Sequence, residues 1–392
     1  MYDRFGPRLL QEDGIDAISA VQESWRSLVE TSALSRPFTG PGFVMAALRA
    51  YHREDRPRLL RVAQAGRTVA AMPLISRPLV RLGHVVDEWG GPFNANFILY
   101  EPVIVPDPIE TRRAAAAMLL KGAFEFGADT LFLDGLPVGG GLTRLFREAA
   151  GEIGLGIDEV PARSLHYATL GDQGWAGYLA TRSRNHRFNL KKVQRRAADA
   201  GAVAIEKHSG AAAIRAQLGT WFEIERRSWQ GADPESAMTD RDRLFHELLI
   251  ENLAEGELGN LWIVRLDSRP AAALRMLAAP GRVAVHTMHF DSEFKALAPG
   301  LLAFEAMMRD ACEQGLAEVD MHGTTEFFSR WATARRDHVT LRIYRRGLRG
   351  ELLRQGRRLI HRIERRGPSR TRGGSAPAAE GTRMPAPANK PA

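Results

Sequence analysis

One order of segments occurs twice along this chain, and it limits the folds open to it more than any single motif does. In residues 57–78, PRLLRVAQAGRTVAAMPLISRP reads as strand, tight turn, strand. A helical segment (ETRRAAAAMLLKGAFEFG) and a strand (DTLFLDGLP) follow. In residues 260–290, NLWIVRLDSRPAAALRMLAAPGRVAVHTMHF reads as three strands and two turns, again followed by a helix (GLLAFEAMMRDACEQG) and a strand (AEVDMHG). The turns contain Ala65-Gly66, Asp267-Ser268 and Pro280-Gly281, which suit hairpins, and the flanks are rich in Leu, Val, Ile and Ala. Hairpin, helix and strand in the same order twice imply two similarly built α/β (α+β) domains in tandem, with mixed, largely antiparallel sheets flanked by helices. The 392 residues are long enough for two cores. The boundary is expected between Pro161 and Gly174, where GDQG offers a turn. That gives domains 1–165 and 166–348, then a basic helix and tail over 349–392.

Charge is distributed unevenly. The whole chain carries +8, yet Arg342–Arg372 alone holds 12 arginines against Glu351 and Glu364. The rest is therefore close to neutral, and overall basicity says little about nucleic-acid binding by the body. Within the basic segment, Leu352, Leu353, Leu359, Ile360 and Ile363 supply an apolar face, for docking on the body or for a membrane surface or another anion. From about Gly367 the chain is rich in Pro, Ala, Gly and Ser, and is expected to be disordered. The single cysteine, Cys312, excludes a disulfide framework and reads as a small core residue. No leader-like start and no membrane-length apolar run are visible, so a cytoplasmic protein, free or membrane-associated, is expected.

A second concentration of charge is RSRNHRFNLKKVQRR, residues 182–196. At 100° per residue, Leu190, Val193 and Ala197 make an apolar stripe, while Arg184, Arg187, Lys191 and Arg195 make a basic one that includes Phe188. Phe188 either packs against the first domain or stacks on a base or sugar. In HTMH, the odd separation of His286 and His289 places them on opposite faces of a strand, which argues against a metal pair.

Several motifs in order carry a resemblance to a known family. They are WRSLVETSALSRPFTGPGF, GRTVAAMPL, SRNHRFNLKKVQRRAADAGAVAI, FEIERRSWQG, FKALAPGLLAFEAM and DMHGTTEFFSRWAT. Over roughly residues 20–346 the chain resembles the GNAT-fold N-acyltransferases of the CelD/BcsL type, a tandem-GNAT group related to the Fem-type peptidyltransferases of cell-wall synthesis. In the last motif Met321, Thr324, Phe328 and Ser329 depart from the family's usual aromatic, glycine, tyrosine and lysine.

The resemblance implies acetyl-CoA or another acyl-CoA as co-substrate, no metal, and an amine acceptor such as an amino sugar in envelope or exopolysaccharide (cellulose) synthesis. It implies a cofactor-binding loop of Pro299, Gly300, Leu301 and Leu302 at a helix start, with Lys295 adding charge. Thioester aminolysis also needs a proton acceptor; His322 or Glu326 is expected to serve, with Asp320 orienting, since positions two apart in a strand share a face. Arg184, Arg187, Phe188, Lys191 and Trp229 are the expected substrate-binding residues, Trp229 as a core or cleft-wall side chain. Two alternatives stay open: a Fem-like transferase using aminoacyl-tRNA, or a non-catalytic partner in a polysaccharide-synthesis complex tethered by the basic tail.

Overall fold

In the computed structural model the described residues are 6–32, 37–81, 84–92, 102–106 and 108–366. The tail from Gly367 onward, expected to be disordered, lies outside them. The chain begins with β1 (Arg8–Asp13), α1 (Gly14–Ala20), α2 (Gln22–Thr31) and α3 (Pro41–Tyr51). The first hairpin follows as β2 (Arg58–Gln64) and β3 (Arg67–Arg81), then β4 (His84–Gly90), β5 (Val103–Ile104), α4 (Ile109–Glu125), β6 (Thr130–Pro137), α5 (Gly141–Glu152) and β7 (Gly156–Thr169). The second half starts with α6 (Gly174–Ala180), α7 (Arg184–Ala200), β8 (Val203–Ser209), α8 (Ala211–Ala216), α9 (Leu218–Arg226), α10 (Trp229–Ala232) and α11 (Asp240–Asn252). It continues with β9 (Asn260–Leu266), β10 (Arg269–Ala279) and β11 (Arg282–Phe290), a 3-10 turn (Ser292–Leu297), α12 (Pro299–Glu313), β12 (Glu318–Asp320), α13 (Glu326–Trp331), β13 (Ala334–Tyr344) and α14 (Leu348–Arg366).

The hairpin turns use the residues that a right-twisted ladder demands. Ala65 and Gly66 have φ of 49° and 78°, and Asp267 and Ser268 have 47° and 66°, the left-handed pair of a two-residue turn. All strands join one sheet in the order β1-β2-β3-β4-β6-β13-β7-β12-β11-β10-β9-β8, with β5 on β3. Among these pairs, β4/β6 and β11/β12 are parallel. The repeat is therefore real at the level of element order, each half placing a helix between its parallel strands.

The two halves also trade their last strands. β13, from the second half, lies between β6 and β7. β7, from the first half, continues past it and pairs Tyr167–Thr169 with Asp320–Glu318 of β12. The expected boundary at 165/166 thus falls inside β7, and the turn read from GDQG follows that strand.

Three apolar cores result. One lies under α4 and α5, and another under α6, α7 and α12. The third is shared, built from α2 and α3 of the first half and α9 and α11 of the second. Helix α3 is buried on every side from Pro41 to Leu48, which suits its almost uniformly apolar sequence. Gly42 allows close approach, since a Cβ there would lie 2.5 Å from Asn252 O at the end of α11. Tyr51 Oη donates to Asp242 Oδ1 (2.8 Å) at the rim of the same contact. Cys312 is buried, and burial pushes its thiol up to about 11, so it acts as packing.

Candidate functional site

Strands β11 and β12 run side by side only for Arg282–Ala284 against Glu318–Asp320. Beyond Ala284, β11 continues to Phe290, while the other chain leaves the sheet at Met321. The gap that opens is bordered by the far half of β11, the start of α12 and residues 321–323. Gly300 sits where a Cβ would be 3.5 Å from the Phe290 ring and 3.7 Å from Met288 Sδ, so α12 begins against the stretch of β11 that pairs with β10 but no longer with β12. A helix N-terminus beside diverging parallel strands can receive an anionic group.

At that start Ala298 is left-handed (φ 50°), and Pro299 takes the first helical position. Leu301 and Leu302 N–H already donate to Ala298 O (3.0 and 3.4 Å). Of the four loop residues expected to bind phosphate, Gly300 therefore holds the one N–H without an acceptor among the described residues, because Pro299 has none to offer. Lys295 is exposed in the 3-10 turn just upstream.

Helix α7 packs beside this turn and against α12, with Gln194 Nε2 donating to Glu305 (2.7 Å). Its buried side is His186, Leu190, Val193 and Ala197, the expected stripe with a histidine added. Arg184 and Lys191 face solvent. Arg187 does not join them; its Nη1 donates to Ala180 O (3.1 Å) and Arg182 O (2.5 Å), closing the end of α6. Phe188 is 70 % exposed, so it does not pack on the first half. Trp229 is 57 % exposed rather than a core or wall residue, because α10 is a single turn standing on the surface. Its neighbour Arg227 accepts from Ser292 N–H (3.1 Å), which brings Trp229 close to the 3-10 turn.

The residues expected to move protons occupy three different settings. Asp320 is buried at the end of β12, and its Oδ1 accepts the backbone N–H of His322 (2.9 Å) rather than bonding the ring. His322 is not in a strand: φ of 49° turns it out of the sheet, and its half-buried ring stacks on Phe38 of the first half (4.7 Å, 18°). The loop is fastened to β7, since Met321 N–H donates to His166 O and His166 N–H to Gly323 O (3.0 and 3.1 Å). Glu326 is exposed on α13 and paired with Arg330 (2.7 Å), which holds its carboxyl below the usual range.

Behind the gap lies a group that sequence reasoning missed. The β10/β11 register jumps between Arg275 and Met276, which face Thr287 and Val285, so His286 is the extra residue of a bulge. The inserted residue shifts the alternation. His286 and His289 therefore point to the same side, His286 beside His246 (5.3 Å between rings) and His289 beside Trp221 (6.4 Å). Arg275 is buried with them; its Nη1 donates to Leu258 O, Asn260 O and Met276 O, and no carboxylate pairs with it among the described residues. Burial, with Arg275 nearby, holds His246 and His286 well below the usual histidine value, and burial takes His289 down to about 4. The only sequence signal for the bulge was a run of polar residues inside an otherwise apolar strand. Among the described residues no group of three or more His, Cys, Asp or Glu is placed to hold a metal ion.

Comparison with known proteins finds a family match around this gap. Residues 184–331 match the acetyltransferase (GNAT) domain. That stretch contains α7, the bulged strand, the start of α12 and α13. The whole architecture is similar to solved structures of low sequence identity. FemX is 13 % identical with TM-score 0.56, covering 81 % of this chain and 95 % of that one. The C-terminal domain of a putative lysylphosphatidylglycerol synthetase from Agrobacterium fabrum is 11 % identical with TM-score 0.51, covering 83 % and 92 %. A conserved protein of unknown function from Bacteroides thetaiotaomicron is 10 % identical with TM-score 0.52, covering 83 % and 97 %. At such identities the likeness is one of fold alone. A search of curated proteins finds no match.

Proposed function

We propose that the chain is an N-acyltransferase that takes an acyl-CoA into the β11/β12 gap and passes its acyl group to an amine. Residues 166–348 carry the transfer site, and residues 1–165 wall the acceptor side. The observation that carries this reading is the free Gly300 N–H at the start of α12, set against the part of β11 whose β12 side is open. It fits the pyrophosphate of coenzyme A, with the exposed Lys295, Arg184 and Lys191 proposed to add positive charge. When bound, the thioester supplies the activated carbonyl. The chain must seat it, exclude water and accept the amine's proton.

For that proton we favour His322. Its backbone is fixed by Asp320 and its ring by Phe38, so it is held in one orientation at the mouth of the gap. Glu326 faces solvent, and its ion pair makes it a weaker base. Once an acceptor is found, His322→Gln lowers kcat by about a hundredfold and removes the acid limb of the pH–rate profile. Glu326→Gln leaves kcat near wild type, and the reverse pattern would exchange the two roles. The acceptor we propose is an amino sugar of the cell envelope or of an exopolysaccharide, consistent with the CelD/BcsL resemblance.

The first test is titration calorimetry with acetyl-CoA and longer acyl-CoAs. Saturable binding is expected, weakened at least about tenfold by Gly300→Glu, which puts a carboxylate under the pyrophosphate. Gly300→Ala should bind as wild type, because its Cβ makes only ordinary contacts. Affinity unchanged in Gly300→Glu would rule out the phosphate seat. Absence of acyl-CoA binding, together with tRNA binding that falls steeply with salt, would make aminoacyl-tRNA the donor and give the exposed Phe188 a stacking role.

A further inference from the structure

Helix α14 is docked the wrong way round for a soluble protein. Leu348, Leu352 and Leu359 fall within about 40° of one another around the helix, and they are 77 %, 63 % and 58 % exposed. The side that meets the body carries Gly350, arginines and one half-buried leucine, Leu353. A Cβ on Gly350 would collide with Arg345 O. Arg354 and Arg358 both reach Asp158 (3.0 and 2.6 Å), while Arg345 and Arg349 both reach Asp129 (3.2 and 2.6 Å). A terminal helix normally turns its leucines inward and its charges to water. Here ion pairs hold the helix down and three of its four leucines are left outside.

The stripe has a neighbour. Arg349 Nη2 also donates to Val85 O (3.1 Å), which places the start of α14 beside the β3–β4 hairpin. Near its tip, Val80 and Val85 are a directly opposed pair, 75 % and 62 % exposed. A cleft of about 350 Å³ opens at the foot of the stripe, and its lining includes Tyr344, Arg345, Arg346, Leu348 and, as its one acid, Glu351. Arg346 has no carboxylate partner among the described residues. Around the stripe, Arg349 and Arg358 border it on either side, and α14 as a whole carries seven arginines against two glutamates.

We propose that α14 and the β3–β4 hairpin form a docking surface for an anionic phospholipid membrane, with α14 lying in the plane of the interface. The leucines and valines enter the headgroup boundary, and Arg346 offers a seat for one headgroup phosphate. The charge disfavours a second copy as the occupant, because two such faces would bring their arginines together. Five exposed aliphatic side chains contribute nothing to phosphate contact, which disfavours a nucleic acid. This surface is independent of the acyl-transfer reading.

The test is co-sedimentation of the full chain with vesicles of phosphatidylcholine alone and of phosphatidylcholine mixed equally with phosphatidylglycerol. Binding is expected only to the mixed vesicles. The double variant Leu352→Glu/Leu359→Glu, and separately Val80→Asp, should lower the partition coefficient by at least about tenfold while leaving the melting temperature in place, since these side chains face outward. Wild type that stays in solution with both vesicles overturns the proposal. So does equal binding by the leucine variant, which would assign binding to charge alone. A dimer dissolved by the leucine variant, or RNA binding lost in it, would assign the stripe to another copy or to RNA and overturn the proposal as well.

Discussion

Gly42→Ala should destabilise the fold by about 2 kcal/mol although alanine is the better helix former. The favourable term is at most about 1 kcal/mol, and smaller near a helix start. Against it stands a Cβ placed 2.5 Å from Asn252 O, 2.9 Å from Asn252 C and 3.0 Å from Leu253 Cα. All three are backbone atoms at the end of α11, so no rotamer change relieves the contact; α3 and α11 must separate. Those helices form the core shared by the halves, and the damage should spread to Phe38 and Phe43, which pack there. In urea titration the midpoint falls with the slope unchanged. Gly219→Ala, in α9 with nothing within 4 Å of its Cβ, is the control and should be neutral or slightly stabilising. Equal stability of Gly42→Ala and wild type would mean that the two helices are less tightly apposed than described.

Acid should loosen the same region before it titrates ordinary carboxylates. His289 is buried beside Trp221, and neither of its ring nitrogens has a hydrogen-bond partner among the described residues. Burial lowers its pKa from 6.5 to about 4, so the folded protein keeps it neutral. As pH falls through 6.5 the unfolded chain takes up the proton first. Stability is therefore complete above pH 6.5 and declines toward pH 4, where His289 alone has removed about 3 kcal/mol. His246 and His286 are also lowered by burial, with the still-charged Arg275 beside them, and act in the same direction. Calorimetric melting temperatures should drop already between pH 6.5 and 5, and His289→Phe should flatten part of that slope. A melting temperature constant over this window would contradict the neutral, buried state of the cluster.

What could be read from the chain was what its local chemistry dictates. Asp267-Ser268 and Ala65-Gly66 make tight turns wherever they fall between apolar runs. Pro299 begins a helix for reasons contained in a few residues. Leu190, Val193 and Ala197 face inward because their spacing leaves no other choice. The rest depended on partners far away in sequence or on a single inserted residue. Nothing in TLFLDGLP shows that its neighbour in the sheet comes from residues 334–344. The odd spacing of His286 and His289 argued for opposite faces, and one bulge reversed it. His322 looked like a strand residue until its left-handed turn laid it on Phe38. Phe188 and Trp229 resembled packing residues because aromatics usually are, yet both stand on the surface around the 3-10 turn. The leucines of α14 were visible, but which way they face is decided by Asp129 and Asp158 on the body.

The exchange of terminal strands has a consequence for how the protein is made. When β7 leaves the ribosome, the seat beside β6 is empty, and it stays empty until residue 344 has been synthesised. During that interval the nascent chain exposes an open ladder edge flanked by Leu131, Leu133 and Leu136, side chains that are buried at the end. The first half therefore lacks one of its inner strands until β13 has been made. Insertion of β13 then joins the two halves into one sheet, so a chain truncated before β13 would have its seam unsealed and its edge available to any neighbouring strand.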